Sequence, residues 1–154
     1  MSIKNKSNYI ICSIVLILVV FMSVGYFSNK TPFVAPTLKV ITDDNEFYAD
    51  KNGCNWNNES STGTKPTIFA HKIKSHIVPK NSELKLILSN DKNIQNFNIK
   101  QITELDDLNY KTIDMTNSNR TITTPNTEGE YNYYIYAGWK NDYYVDYMIK
   151  IKVE

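Results

Sequence analysis

Chemistry that needs a proton acceptor or a soft metal ligand often starts from histidine, and this chain has two, His71 and His76. On extended backbone their odd spacing sends the side chains to opposite faces, so joint metal ligation would need a bend between them. Ser75 beside His76 is no catalytic dyad for the same reason. Glu104, Asp106 and Asp107 make a small acidic cluster of the kind that solvated loops carry. Asp50-Lys51-Asn52-Gly53 lacks the alternating oxygen ligands of a calcium loop. The sequence contains no His-Glu-x-x-His, no Gly-x-Ser-x-Gly, no phosphate loop, and no Ser-x-x-Lys with its partner motifs. The residues therefore nominate no catalytic group, no metal and no cofactor.

What remains for chemistry is recognition, and here the aromatic residues stand out. Tyr131, Tyr133, Tyr134, Tyr136, Trp139, Tyr143, Tyr144 and Tyr147 all fall within residues 131–147. On a strand, Tyr131, Tyr133, Ile135 and Trp139 share one face, and Tyr134 and Tyr136 share the other. With the first set in the core, Tyr134 and Tyr136 stand on the outer surface beside Tyr143 or Tyr144. Exposed tyrosines bind sugars or proteins because each offers area and a hydroxyl at small entropic cost. They also suit plain cross-strand pairing, which asks for no ligand. Tyr134, Tyr136, Tyr143 and Tyr144 are the candidate ligand-binding residues; Gly129, Tyr131, Trp56 and Trp139 are the structural ones.

These side chains need strands to position them, and the periodicity supplies them. Residues 145–153 (VDYMIKIKV) alternate apolar and polar, as do 83–89, and 97–101 more weakly. Shorter strand candidates are 38–41, 46–49, 67–73, 110–115, 121–123 and 131–139. Turn residues separate them at Asp43-Asp44-Asn45, Asn52-Gly53, Pro79-Lys80-Asn81, Asn90-Asp91 and Asn141-Asp142. Seven to nine short strands without an amphipathic helix predict an all-β antiparallel sandwich over residues 37–154. Cys54 is the one cysteine in that stretch, so core packing rather than an internal disulfide must hold it.

Ahead of it, residues 9–27 (YIICSIVLILVVFMSVGYF) carry no charge and follow Lys4 and Lys6. Roughly 20 residues of helix span a bilayer core of ~30 Å. The twelve Ile, Leu, Val and Phe residues of the run favour insertion by roughly 4–7 kcal/mol. The lysine bias predicts a cytoplasmic N-terminus at 1–8, a transmembrane signal anchor at 9–27, a Pro-containing linker at 28–36 and an extracytoplasmic domain at 37–154. A cleaved signal peptide is the alternative, with Ser23-Val24-Gly25 as its cutting site and a secreted product. A lipoprotein signal needs a cysteine after the apolar core, and Cys12 sits at its start, which rules one out. Beyond residue 27 the chain holds 15 basic and 16 acidic residues, a balance that excludes nucleic acid as a partner. Arg120 is the sole arginine among 17 basic residues, a lysine bias associated with Gram-positive bacteria of AT-rich genome.

Residues 127–133, Thr-Glu-Gly-Glu-Tyr-Asn-Tyr, resemble the tyrosine corner of immunoglobulin-like domains, Asp-x-Gly-x-Tyr-x-Cys. The resemblance implies that Gly129 permits the bend and that Tyr131 enters strand F with its hydroxyl bonded to upstream backbone. Tyr133 replaces the usual cysteine, so the inter-sheet disulfide is absent. More widely, Asn52-Gly53-Cys54-Asn55-Trp56, then residues 77–84 (IVPKNSEL), then Pro125, Gly129-Glu130-Tyr131 and Trp139 are similar to uncharacterised extracytoplasmic domains of Gram-positive membrane proteins and lipoproteins. That group supplies no catalytic residues to carry over. The expected function is a membrane-tethered, immunoglobulin-like binding or sensing domain whose partner lies in the cell wall or membrane. A structural or regulatory subunit of another membrane protein is the second expectation, and an unrecognised cell-wall hydrolase the third.

Overall fold

The computed structural model describes residues 14–20, 34–57, 59–105 and 110–154. The chain divides into two compact units, Met1–Thr31 and Pro32–Glu154. In the first, residues 14–20 form a helix, α1, whose seven apolar side chains are each 52–68% exposed. Among the described residues no helix is long and apolar enough to cross a membrane. The rest of the predicted span at 9–27, most of the linker at 28–36, Asp106, Asp107 and the side chain of Glu104 lie outside the described residues.

The second unit is mostly β. One sheet has the order β2-β1-β6-β9, from Glu46–Tyr48, Leu38–Ile41, Glu83–Leu88 and Thr121–Thr123. The other has the order β4-β3-β11-β10-β7-β8, from Glu59–Ser61, Asp50–Trp56, Tyr144–Val153, Gly129–Trp139, Ile94–Leu105 and Tyr110–Asp114. A further strand, β5 (Ser75–Val78), runs parallel to the end of β11, and the other described pairings are antiparallel. Alternation sets which face packs. In β6 the even positions Leu84, Leu86 and Leu88 are buried, and the residues between them are exposed. They join Leu38 and Val40 of β1 and Ile122 of β9 against Trp56, Ile99, Tyr133, Ile135, Tyr147 and Ile149 of the larger sheet. Each such side chain contributes about 1.5–3 kcal/mol by leaving water. Cys54 is fully buried among them.

Two local expectations are corrected, and one strand is added. Residues 67–73 are not a strand: Pro66–Ala70 forms a short helix, α2, with the proline in its first turn. Proline there loses no intrahelical bond and presets the helical φ, while Thr67 and Ala70, three apart, turn the same way and are buried. Asn52-Gly53 is not a turn but lies within β3, where the register with β11 shifts. Its polar composition hid a strand that pairs on both sides, with β11 and with β4. β5 also escaped notice, because Ser75–Val78 is too short to show a period.

At the start of β10 the Tyr131 hydroxyl donates to the Thr127 carbonyl at 3.0 Å. Gly129 between them has φ +154°, a conformation open to glycine and strained for other residues. Tyr131 is half-buried and Thr127 exposed, so the bond competes with water. Tyr131→Phe is therefore expected to cost about 0.5–1.5 kcal/mol, the ordinary net worth of one hydrogen bond. Urea unfolding checks this, and an unchanged midpoint would show that the corner bond contributes nothing.

Candidate functional site

The central strands β10 and β11 place alternate residues on the outer face of the larger sheet. Cross-strand pairing sets Asn132 opposite Lys150, Tyr134 opposite Met148, Tyr136 opposite Asp146 and Gly138 opposite Tyr144. On the far side of β10, β7 contributes Asn96, Asn98 and Lys100, all exposed. On the far side of β11, β3 contributes Gly53 and Asn55.

This face is split in two. Around Tyr134 it is covered: Phe69, Ala70 and Ile73, in α2 and just after it, pack with Ile102 and Met148 against the half-buried Tyr134 ring. Around Tyr136 it is open. The Tyr136 ring lies over Gly138 and stacks with Tyr144, centroids 6.0 Å apart and planes inclined by 20°. Both rings are half-buried. The segment after β4 forms one border, because Asn52 grips Thr64 through two hydrogen bonds, Nδ2 to its carbonyl at 2.8 Å and Oδ1 from its N–H at 3.0 Å. That brings Gly63 onto Gly53, where a β-carbon would stand 2.8 Å from the Gly63 nitrogen.

The two acids at the open half differ in setting. Asp146 is half-buried and accepts the Tyr134 hydroxyl at 2.5 Å. Burial holds its carboxyl above the ordinary range, and the Tyr134 hydrogen bond opposes that shift. Burial and the Asp146 carboxylate together hold the Tyr134 hydroxyl firmly protonated. Asp142 is exposed in the hairpin turn, where Asn141 and Asp142 adopt φ of +63° and +58°. Its main-chain carbonyl accepts the Asn55 side-chain amide at 3.0 Å. Burial raises the Tyr136 hydroxyl pKa, and the charges of Asp146 and Asp142 add to it.

The remaining candidates sit elsewhere. Tyr143 turns to the core side, tilted on Trp56 at 5.3 Å with its hydroxyl donating to Asn57 Oδ1 at 3.0 Å. Trp56 and Trp139 meet edge to face at 4.8 Å. Tyr133 is fully buried, and burial pushes its hydroxyl up to about 12. His71 follows α2 in the open, while His76 stacks flat on Phe47 at 3.8 Å. Burial, then Lys74, lowers the His76 pKa. A shallow depression of about 360 Å³ lies at the opposite end of β11, bordered by Asp44, Ile77, Pro79 and Glu154. Among the described residues, no three His, Cys, Asp or Glu side chains converge as a metal would require.

The outer-face positions of Tyr136 and Tyr144 follow from the sequence alternation, which did not single out Asp146 beside them. Counting outward from the Asn141-Asp142 turn would have set it opposite Tyr136. The cover over Tyr134 could not be found that way, because it comes from a helix remote in sequence. No family model, no curated protein and no solved structure matches the chain.

The raised Asp146 carboxyl makes stability depend on pH. The folded protein keeps this proton to higher pH than the unfolded chain, whose aspartates titrate near ~3.9. The contribution is complete below that value and is lost as pH rises through the raised one. Asp146→Asn retains an acceptor for Tyr134 and does not titrate. It should gain stability on the parent as pH climbs from about 4, as unfolding midpoints across a pH series will report. A difference that stays constant with pH contradicts the assignment.

Proposed function

We propose that the chain is an extracytoplasmic binding domain, immunoglobulin-like in topology, held at the cell membrane by residues 9–27. The observation that carries the binding reading is the open half of the outer face. There Tyr136 and Tyr144 stack side by side in a polar border, while the neighbouring Tyr134 is roofed by α2. A sheet that needed only to be closed could have been roofed throughout. Half-exposed tyrosines in a polar setting are the usual anchors of reversible recognition.

Two features support the immunoglobulin-like reading. The Tyr131 hydroxyl reaches back to Thr127 at the entry to β10, as a tyrosine corner does. The strand order from β5 onward also fits, with β6 and β9 in one sheet and β11, β10, β7 and β8 in sequence in the other. That is the arrangement of strands B and E facing G, F, C and C′, with β5 in parallel on the G strand. The tether reading rests on the uncharged run and the two lysines before it.

Replacing Tyr136 and Tyr144 together by serine should keep the fold and weaken attachment to isolated cell-wall sacculi or membranes by at least ~30-fold, the effect of losing about 2 kcal/mol of hot-spot contact. Co-sedimentation measures it, with circular dichroism to verify folding. Undiminished attachment by a folded double variant removes the site. Orientation has its own check: a protease added to intact protoplasts should digest residues 37–154 and spare a cytoplasmic marker. Survival of both reverses the orientation.

A further inference from the structure

Beyond the presence of a contact surface, its charges and geometry point to the class of molecule it takes. We infer that the Tyr136–Tyr144 face binds a glycan bearing free amino groups, with Asp146 and Asp142 as counter-charges. This rests on the binding reading above and adds the ligand chemistry to it.

Three observations converge. First, the acids that bear on Tyr136 are Asp146, directly across the strand pair, and Asp142 in the adjoining turn. Among the described residues, neither has an ion-pair partner within 4.0 Å. Of the bases on neighbouring rows, Lys51 is engaged by Glu59, and Lys100 lies opposite Asp114 on the side away from Asp146. Lys140 stands exposed in the hairpin loop. An ammonium group placed over a tyrosine face beside a half-buried carboxylate meets attraction from both the ring quadrupole and the charge.

Second, the strands beneath the face offer no free edge. β10 is paired on both sides, by β7 and β11, and β11 by β10 on one side and by β3 and β5 on the other. A peptide that adds a strand needs an open ladder. Here a ligand can be read only by side chains. Third, those side chains suit a sugar: the half-exposed Tyr136 and Tyr144 rings offer apolar area for a pyranose to cover, flanked by the amides of Asn96 and Asn98 and by Asn55, whose amide nitrogen donates to the Asp142 carbonyl. Amides both donate to and accept from hydroxyls. The Asp146 carboxylate is held in place by the Tyr134 hydroxyl at 2.5 Å, so its direction is set before a ligand arrives.

The test titrates the full-length chain in detergent micelles with a glucosamine oligosaccharide at mildly acidic pH. Its N-acetylated counterpart and a lysine-rich peptide serve as comparisons. The amino form should bind, more weakly as salt rises, and the N-acetylated form at least about tenfold more weakly. Asp146→Asn and Asp142→Asn should each reduce binding of the amino form several-fold, and so narrow its advantage over the N-acetylated form. Both substitutions suit their positions, since an amide oxygen in place of the Asp146 carboxylate would still accept from Tyr134, and asparagine tolerates the positive φ of Asp142. Equal binding of the two sugars overturns ammonium recognition, and preference for the peptide overturns the glycan. Binding of none of them, with sacculus attachment still dependent on Tyr136 and Tyr144, overturns this inference and leaves the binding reading standing. Attachment indifferent to those tyrosines would instead remove the binding reading itself.

Discussion

The pairing of β10 with β11, continuous from Gly129 opposite Val153 to Gly138 opposite Tyr144, decides both faces of the larger sheet. Because side chains alternate, a slip of one residue in either strand would exchange its core and surface sets. The inner set is Tyr133, Ile135 and Ala137 with Val145, Tyr147, Ile149 and Ile151, all at most 1% exposed. Burying them holds the register, and the register in turn sends Tyr134, Tyr136, Tyr144 and Asp146 outward. Core packing therefore sets which residues face outward, and the Tyr134–Asp146 hydrogen bond and the Tyr136–Tyr144 stack then orient them.

Two additions then shape what the register exposes. The chain from β4 to β5 folds back over the outer face, held at one point by the Asn52–Thr64 hydrogen bonds and at another by the apolar contacts of Phe69, Ala70 and Ile73. It packs beside the half-buried Tyr134 and leaves that hydroxyl to orient Asp146. On the inner side, the Tyr147 hydroxyl donates to the Pro36 carbonyl at 2.6 Å, tying the approach to β1 to the central strand. The segments before β5 thus supply borders and seals to a sheet whose long strands all come later.

Much of this was legible from the residues. The alternation in 83–89 and 145–153 marks β6, which has one face in the core and one in water, and β11, whose outer face is half-buried and interrupted by the fully buried Met148. The Asn141-Asp142 turn was readable because asparagine and aspartate tolerate positive φ, which both adopt. β3 was not, since it is rich in turn-forming residues and owes its extension to β11 and β4 on its two sides. α2 was hidden for a related reason: five residues carry too little period to separate helix from strand, and burial of Thr67 and Ala70 against the sheet decides. Parity alone placed Tyr136 and Tyr144 outside, but it could not distinguish a roofed tyrosine from an open one.

The central claim is that the open half of the outer β10–β11 face is where this domain meets its ligand. Mapping backbone and ring chemical shifts of the labelled protein while soluble cell-wall fragments are added tests it most directly. The account predicts changes centred on Tyr136, Gly138, Tyr144 and Asp146, fading toward Tyr134 beneath α2. Changes centred instead on the depression near Pro79 and Glu154, or on Trp56 and the core side, would contradict it.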